Sequence, residues 1–528
     1  MRRLSLLLPA ILASAAPAQP PEPRFSADAF RGHVEFLASD LLEGRDAGTR
    51  GYDLGASYVA SRFRALGLTP GGPDRSWYQE VPFVEATRAR DATVSIGGRR
   101  FDATKDVAVG ASTVATAQDL TAPAVFVGYG LRAPRLGIDD YRGLDVRGKY
   151  VVALSGFPKG MASDVGAHLN SMKASAAQDR GALGLITVRT LQDAKRRGFD
   201  YALKSSREPA IGWTQPDGST FALAPKLRAT ATVDTPAAEA LFAGARRSLT
   251  DVLAEADRAG GRPAGFALQP SVSIARESTH RRFTSPNVLG ILPGSDPKLA
   301  DEYVLLMAHL DHEGVDPALP GTDKTYNGAM DNATGVATML EVARAFAESG
   351  IRPKRPILFA AMTAEEDGLL GAEYLAKNGL PAGGKVVGVV NLDMPVLLYD
   401  FQDVIAFGAE HSTLGPMVRD AAARAGVALA PDPLPQEGLF TRSDHYKFVR
   451  EGVPAVFLMT GFANGGDKAF TSFLATHYHK VTDDLALPID WSAGAKFARI
   501  NYLIAREVAD APEAPKWNPN SFFNPARK

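Results

Sequence analysis

Met307-Ala308-His309-Leu310-Asp311-His312 is the stretch on which the fold of this chain turns. A short apolar run, 303–308, ends abruptly in a histidine with a carboxylate two positions on. Tyr326-Asn327-Gly328-Ala329-Met330-Asp331-Asn332 follows and places a second carboxylate just ahead of a helical pattern. Three more acid or imidazole clusters come after later apolar runs: Glu365-Glu366, Asp393 and His479. Side chains of this kind, delivered together by strand ends, suggest a metal site.

Working outward, the apolar runs 287–292, 303–308, 357–362, 386–392 and 454–459 alternate with helical patterns. The clearest helix covers 332–348, with Val336, Met339, Leu340, Ala343 and Phe346 on one face. Near-continuous apolar strands separated by helices predict an α/β sheet, mainly parallel and covered on both faces. In such sheets sites form beyond the carboxyl ends of the strands. His309, Asp393 and the Glu365-Glu366 pair occupy those positions. Upstream, Ser26 is set to cap a helix carrying Phe30, Val34, Leu37 and Leu41, and a second helical pattern, 52–66, closes at Gly67. These two helices cannot make a core alone and are expected to pack on later segments.

From about residue 90 the texture changes to short β-branched or alternating runs: 92–96, 122–127, 150–154, 183–188 and 227–233, with one helical stretch at 165–180. This predicts a β-rich insertion, 91–283, between two parts of a larger unit, 19–90 and 284–510. Residues 511–528 are Pro- and Asn-rich without apolar periodicity and are expected to be a loosely held tail.

The 528 residues exceed one compact core, and 45% hydrophobic with 22% charged residues is an ordinary globular composition. A formal charge of −1 argues against nucleic acid or an acidic membrane as a partner held by bulk charge. There is no cysteine, which removes disulfides, thiol nucleophiles and Cys-held zinc. At the N-terminus Arg2-Arg3, the apolar run 4–13 and Ala16-Pro17-Ala18 read as a signal peptide, 1–18, and hence as export to the periplasm or outside the cell. No later run is long enough for an integral membrane segment.

Two imidazoles and three carboxylates are too many for one catalytic zinc and suit two. A shared carboxylate would keep two cations about 3.5–4 Å apart, with a water between them as nucleophile. The Glu365-Glu366 pair allows one to bind and its neighbour to serve as base. Asp311 is well placed to hold the second nitrogen of His309.

His309-Leu310-Asp311, Asp331-Asn332-Ala333-Thr334-Gly335, Thr363-Ala364-Glu365-Glu366-Asp367-Gly368-Leu369-Leu370-Gly371, Asn391-Leu392-Asp393-Met394 and Tyr478-His479 resemble the M28 metallopeptidases. The resemblance spans nearly all of the chain after residue 18, with the insertion similar to a protease-associated (PA) domain. It implies a three-layer, mixed and mainly parallel sheet flanked by helices, the zinc-exopeptidase fold. It implies two Zn2+, one held by His309 and Asp393 and one by Glu366 and His479, with Asp331 bridging them across a cis Asp331–Asn332 peptide. It further implies Glu365 as general base, Asp311 orienting His309, and Tyr478 hydrogen-bonding the oxyanion. Of the two histidines in Thr476-His477-Tyr478-His479, the family pattern selects the one directly after tyrosine. Arg442, Asp444 and His445 lie in a segment resembling the family's Arg-Ser-Asp-His run near the substrate, where a structural pairing of Asp444 with His445 competes with substrate contact. The implied activity is an exopeptidase acting on peptides, foremost an aminopeptidase. The alternatives are a carboxypeptidase or dipeptidase, a glutaminyl-cyclase-like acyltransferase, and a non-catalytic binding protein.

Overall fold

The computed structural model describes residues 22–526, so the expected signal peptide lies outside the described residues. Strand Glu302–His309 pairs in parallel with Ile357–Met362 on one side and Lys385–Leu392 on the other. Ala455–Thr460 extends the parallel set beside Lys385–Leu392. Antiparallel partners flank these strands: Phe266–Leu292 against Ile357–Met362, and Asp403–Phe407 against Ala455–Thr460. Every residue of Ile357–Met362 and Ala455–Thr460 is buried, which is why these strands read as unbroken apolar runs.

Helix Thr334–Ser349 is buried along most of its length and shares the main core with Ala27–Leu37 and Trp491–Asp510. The Ser26 hydroxyl caps Ala27–Leu37 by accepting from the Ala29 amide at 3.3 Å. Phe30, Val34 and Leu37 are buried there, but Leu41 is 72% exposed. The helix stops at Leu37 and the chain turns through Asp40–Arg45, so the periodicity does not reach Leu41.

The β-rich stretch builds a second core around Val94, Phe126, Tyr150, Ile186 and Val272. Tyr150–Leu154 pairs in parallel with Gly184–Val188 and with Ala117–Phe126. The single helix expected over 165–180 is two, Ser163–Ser171 and Lys173–Asp179, separated at Met172. The expected break at 283/284 falls inside one continuous strand, Phe266–Leu292. Through Glu277 that strand pairs with Ala117–Phe126, and from Ser278 onward with Tyr78–Arg88 of the main sheet. Pro82 and the charged Glu80 and Glu85 conceal Tyr78–Arg88 from a periodicity search.

The tail also departs from expectation. Trp517 Nε1 donates to the Gly452 carbonyl at 2.7 Å and the Asn518 amide to the His411 carbonyl at 2.8 Å. Phe523 is buried between the rings of His168 and His411. Three aromatic residues outweigh the Pro/Asn composition and hold 511–526 against both cores. Among the described residues no helix is long and apolar enough to cross a membrane.

Candidate metal centre

The parallel strands deliver their terminal residues to one edge of the sheet. His309 ends its strand, Asp393 follows Lys385–Leu392, and Glu365-Glu366 follow Ile357–Met362 after Ala364, whose φ is +53°. Asp331 sits at a cis peptide with Asn332, directly before helix Thr334–Ser349. Asn332 ties these loops together. Its Nδ2 donates to the Leu392 carbonyl at 2.9 Å, and its Oδ1 accepts from the Gly335 and Met394 amides at 3.0 and 3.2 Å.

His309, Asp331, Asp393, Glu366 and His479 form two groups that share Asp331. His309 Nε2 lies 3.2 Å from Asp331 Oδ1 and 3.2 Å from Asp393 Oδ1. His479 Nε2 lies 3.3 Å from Asp331 Oδ2 and 3.2 Å from Glu366 Oε2. His477, the competing histidine, instead holds Thr482 through Nδ1 at 3.0 Å.

The electrostatics are those of excess buried negative charge. Burial alone would lower the His479 pKa, yet Asp331, Glu313 and Glu366 push it up to about 12. His309 is likewise raised well above its ordinary value against the effect of burial, by Glu365, Asp393 and Asp331. Asp331 is held well below the usual carboxylate range by the two histidines, although burial opposes this. Glu365 goes the other way: burial, with Asp393 and Glu366 beside it, raises its pKa well above the ordinary value. Buried His479 Nε2 closes no hydrogen bond of proper geometry with the two carboxylates beside it. Unprotonated imidazole nitrogens and clustered carboxylates are a donor set that suits divalent cations such as zinc.

A cavity of about 530 Å³ opens on this edge. Asp331, Glu365, Glu366, Asp393 and His479 line it, as do Tyr478 and Arg442. Its apolar wall comes from Phe457, Met459, Phe470 and Leu474. Arg197, from the β-rich unit, also reaches it. Burial raises the Tyr478 pKa, so the phenol keeps its proton.

Two expectations need correction. Asp311 touches His309 through its backbone carbonyl, 3.2 Å from Nδ1, while its carboxylate accepts from the Glu366 amide at 3.1 Å. It orients the His309 ring by main chain and the Glu365-Glu366 loop by side chain. Asp444 and His445 are fully buried and do not line the cavity, and neither Asp444 oxygen has a hydrogen bond, so they are neither exposed to substrate nor paired. Burial drives them to their neutral forms, raising Asp444 and lowering His445 to about 3. Their neighbour Ser443 is the residue that acts on the site: its hydroxyl donates to Asp393 Oδ2 at 2.5 Å and accepts from Asn391 Nδ2 at 2.6 Å.

Several supporting residues were not anticipated. His312 Nδ1 lies 2.8 Å from Glu366 Oε1, and Glu313 Oε1 lies 2.7 Å from His479 Nδ1. Asp483 accepts from the Met330 and Asp331 amides at 2.9 and 3.0 Å. Buried Arg45 donates to the Leu310 and Asn327 carbonyls at 2.8 and 2.7 Å, and to those of Leu37 and Gly328, clamping the N-terminal turn to the site. His312 and Glu313 adjoin Asp311 in sequence, and that adjacency was the available signal. For Arg45, whose partners are carbonyls far along the chain, there was none.

Residues 287–505 match the family model "Peptidase family M28". A "Probable zinc metalloprotease" of Pyricularia oryzae is 28% identical over 300 residues, covering 50% of this chain and 58% of the relative. A protein of the same description from Pyrenophora teres f. teres is 40% identical over 107 residues, covering 20% of this chain and 22% of the relative. The chain thus spans about a fifth to rather more than half the length of these relatives. Among solved structures, "Aminopeptidase from Aneurinibacillus sp. strain AM-1" superposes with a TM-score of 0.52 at 19% identity, covering 93% of this chain and 95% of that one, a likeness of fold. Residues 287–505, the stretch that matches the model of peptidase family M28, carry all five of the converging histidines and carboxylates, and the two relatives above are named as zinc metalloproteases.

Proposed function

We propose that this chain is an exported dinuclear zinc exopeptidase, acting as an aminopeptidase. The observation that carries the proposal is the division of Asp331: Oδ1 faces His309 and Oδ2 faces His479, as a bridging carboxylate requires. His309 and Asp393 would hold one zinc, Glu366 and His479 the other, with Asp331 shared. When bound, the zinc ions supply Lewis acidity, lowering the pKa of a water and polarising a peptide carbonyl.

The chain's own residues supply the rest. Glu365 is the general base, taking a proton from the attacking water and passing it to the leaving amine, and its raised pKa supports this role. Tyr478 donates to the developing oxyanion. Phe457, Met459, Phe470 and Leu474 receive an apolar side chain. The β-rich unit serves as a PA-like domain whose Arg197 reaches the cavity edge. Arg442 and Arg197 also support a second reading, a carboxypeptidase that holds a substrate carboxylate.

Metal analysis with free, N-blocked and C-amidated dipeptides tests both. An aminopeptidase binds two zinc ions and loses activity on N-blocking, whereas loss on C-amidation alone selects the carboxypeptidase. No hydrolysis of any dipeptide by the zinc-loaded protein would reject the proposal.

A further inference from the structure

The two imidazoles of the site are supported differently. His309 is 1% exposed at the end of a central strand, and its Nδ1 faces a neutral acceptor, the Asp311 carbonyl. The His479 side chain is 31% exposed and lies beyond helix Gly466–Thr476 on a loop, with φ +53° and no strand to hold it. Its Nδ1 meets a charged acceptor instead, Glu313 Oε1 at 2.7 Å. A carboxylate on Nδ1 keeps the proton there, leaves the Nε2 lone pair free and raises its basicity. Nε2 is the atom facing Asp331 and Glu366.

Glu313 is in turn held by the N-terminal turn. The His312 amide donates to the Arg45 carbonyl at 3.2 Å and the Gly314 amide to the Gly44 carbonyl at 3.1 Å. Gly44 has φ +67°, and a Cβ there would sit 2.2 Å from the Gly314 oxygen. Only glycine permits that approach. The same braced segment carries His312, which holds Glu366. Both outer contacts of the His479 group therefore hang on residues 44–45, more than 250 positions upstream.

We propose that Glu313 is a positioning residue that fixes the His479 imidazole for cation binding, and that the turn at Gly44 holds Glu313 in place. The inference rests on the two-metal reading above. The Glu313 side chain is 39% exposed, so its replacement leaves the core intact.

The test is zinc titration of the metal-stripped full-length protein, by calorimetry and by competition with a chromophoric chelator. The variants are Glu313→Ala, Glu313→Gln and Gly44→Ala, with thermal unfolding of the metal-free proteins as a folding control. Glu313→Ala is expected to weaken one of two zinc sites by about 10- to 100-fold and leave the other unchanged. Glu313→Gln, which keeps an acceptor oxygen without the charge, should recover part of the loss, and Gly44→Ala should weaken the same site. Two unchanged affinities in Glu313→Ala overturn the inference alone. Fewer than two zinc ions taken up by the unmodified protein overturn the two-metal reading and this inference with it.

Discussion

Asp331 faces one imidazole with each carboxylate oxygen, so a change there disturbs both groups at once. Asp331→Ala is expected to lose bound zinc, read by elemental analysis, together with activity. Glu365→Gln is expected to do the opposite. On the proposed chemistry it keeps its zinc and lowers kcat by about 100- to 10,000-fold. Normal turnover by Glu365→Gln would remove the base assignment. At this scale the residue types were legible from their places: His309 at the end of an apolar run, Asp331 ahead of a helical pattern, and the others after later apolar runs. What periodicity does not register is which atom of Asp311 meets which partner. The carbonyl at His309 and the carboxylate at the Glu366 amide follow from the turn after the strand, not from residue type.

Helix Thr334–Ser349 begins against the site, and Gly335 is its tightest point. A Cβ on Gly335 would meet Asn332 Oδ1 at 2.0 Å and the Leu392 carbonyl at 2.5 Å. Gly335→Ala should therefore displace Asn332, which ties the Asp331 and Asp393 loops. A stability loss of roughly 1–3 kcal/mol is expected in denaturant unfolding, with weakened zinc retention. Unchanged zinc content and stability would show that the Asn332 tie is dispensable. In the β-rich unit, Lys173 donates to the Leu154 and Gly156 carbonyls at 2.7 and 2.6 Å, and burial lowers its pKa to about 7 from 10.5. Between about pH 7 and 10.5 the unfolded chain binds the extra proton, so stability rises with pH across that window and is flat below it. The slope approaches about 1.4 kcal/mol per pH unit at most. Comparing Tm at pH 7 and pH 9 checks this: Lys173→Met should lose the rise, and an equal rise in both proteins refutes it. Central strands and amphipathic helices were readable here because burial on both faces leaves a continuous apolar signal. Tyr78–Arg88 was not, because its charged residues and Pro82 break the pattern while pairing with Phe266–Leu292 sustains the strand.

Among the described residues the two largest hydrophobic clusters are linked by strand Phe266–Leu292, which runs through both sheets, and are overlaid by the tail. Further ties cross between them. His411 Nε2 lies 3.1 Å from Asp164 Oδ2, His168 Nδ1 lies 2.8 Å from the Tyr446 hydroxyl, and Arg196 pairs with Glu437 at 3.2 Å. Phe522 packs against both cores and Phe523 sits between His168 and His411. Removing 512–526 is expected to lower Tm by several degrees and to increase proteolysis near residue 265, since the apolar clamp is lost while either core persists. Unchanged Tm and cleavage would show that the tail is dispensable for coupling the units.

From the sequence by itself came the alternation of buried strands and helices, and the five histidines and carboxylates, at strand ends, before a helix and in the loop that holds His479. Both are local: burial writes apolar runs into adjacent residues, and a strand end is marked where the run stops. Only the tertiary structure decided what supports them. Arg45 reaches carbonyls 265 and 282 residues away, and Glu313 reaches a histidine on a distant loop. Asp444 and His445 were withdrawn into the core by packing that no short window records. Contacts of that kind depend on where the chain returns in space, and the opening run His309-Leu310-Asp311-His312 takes its full meaning from them.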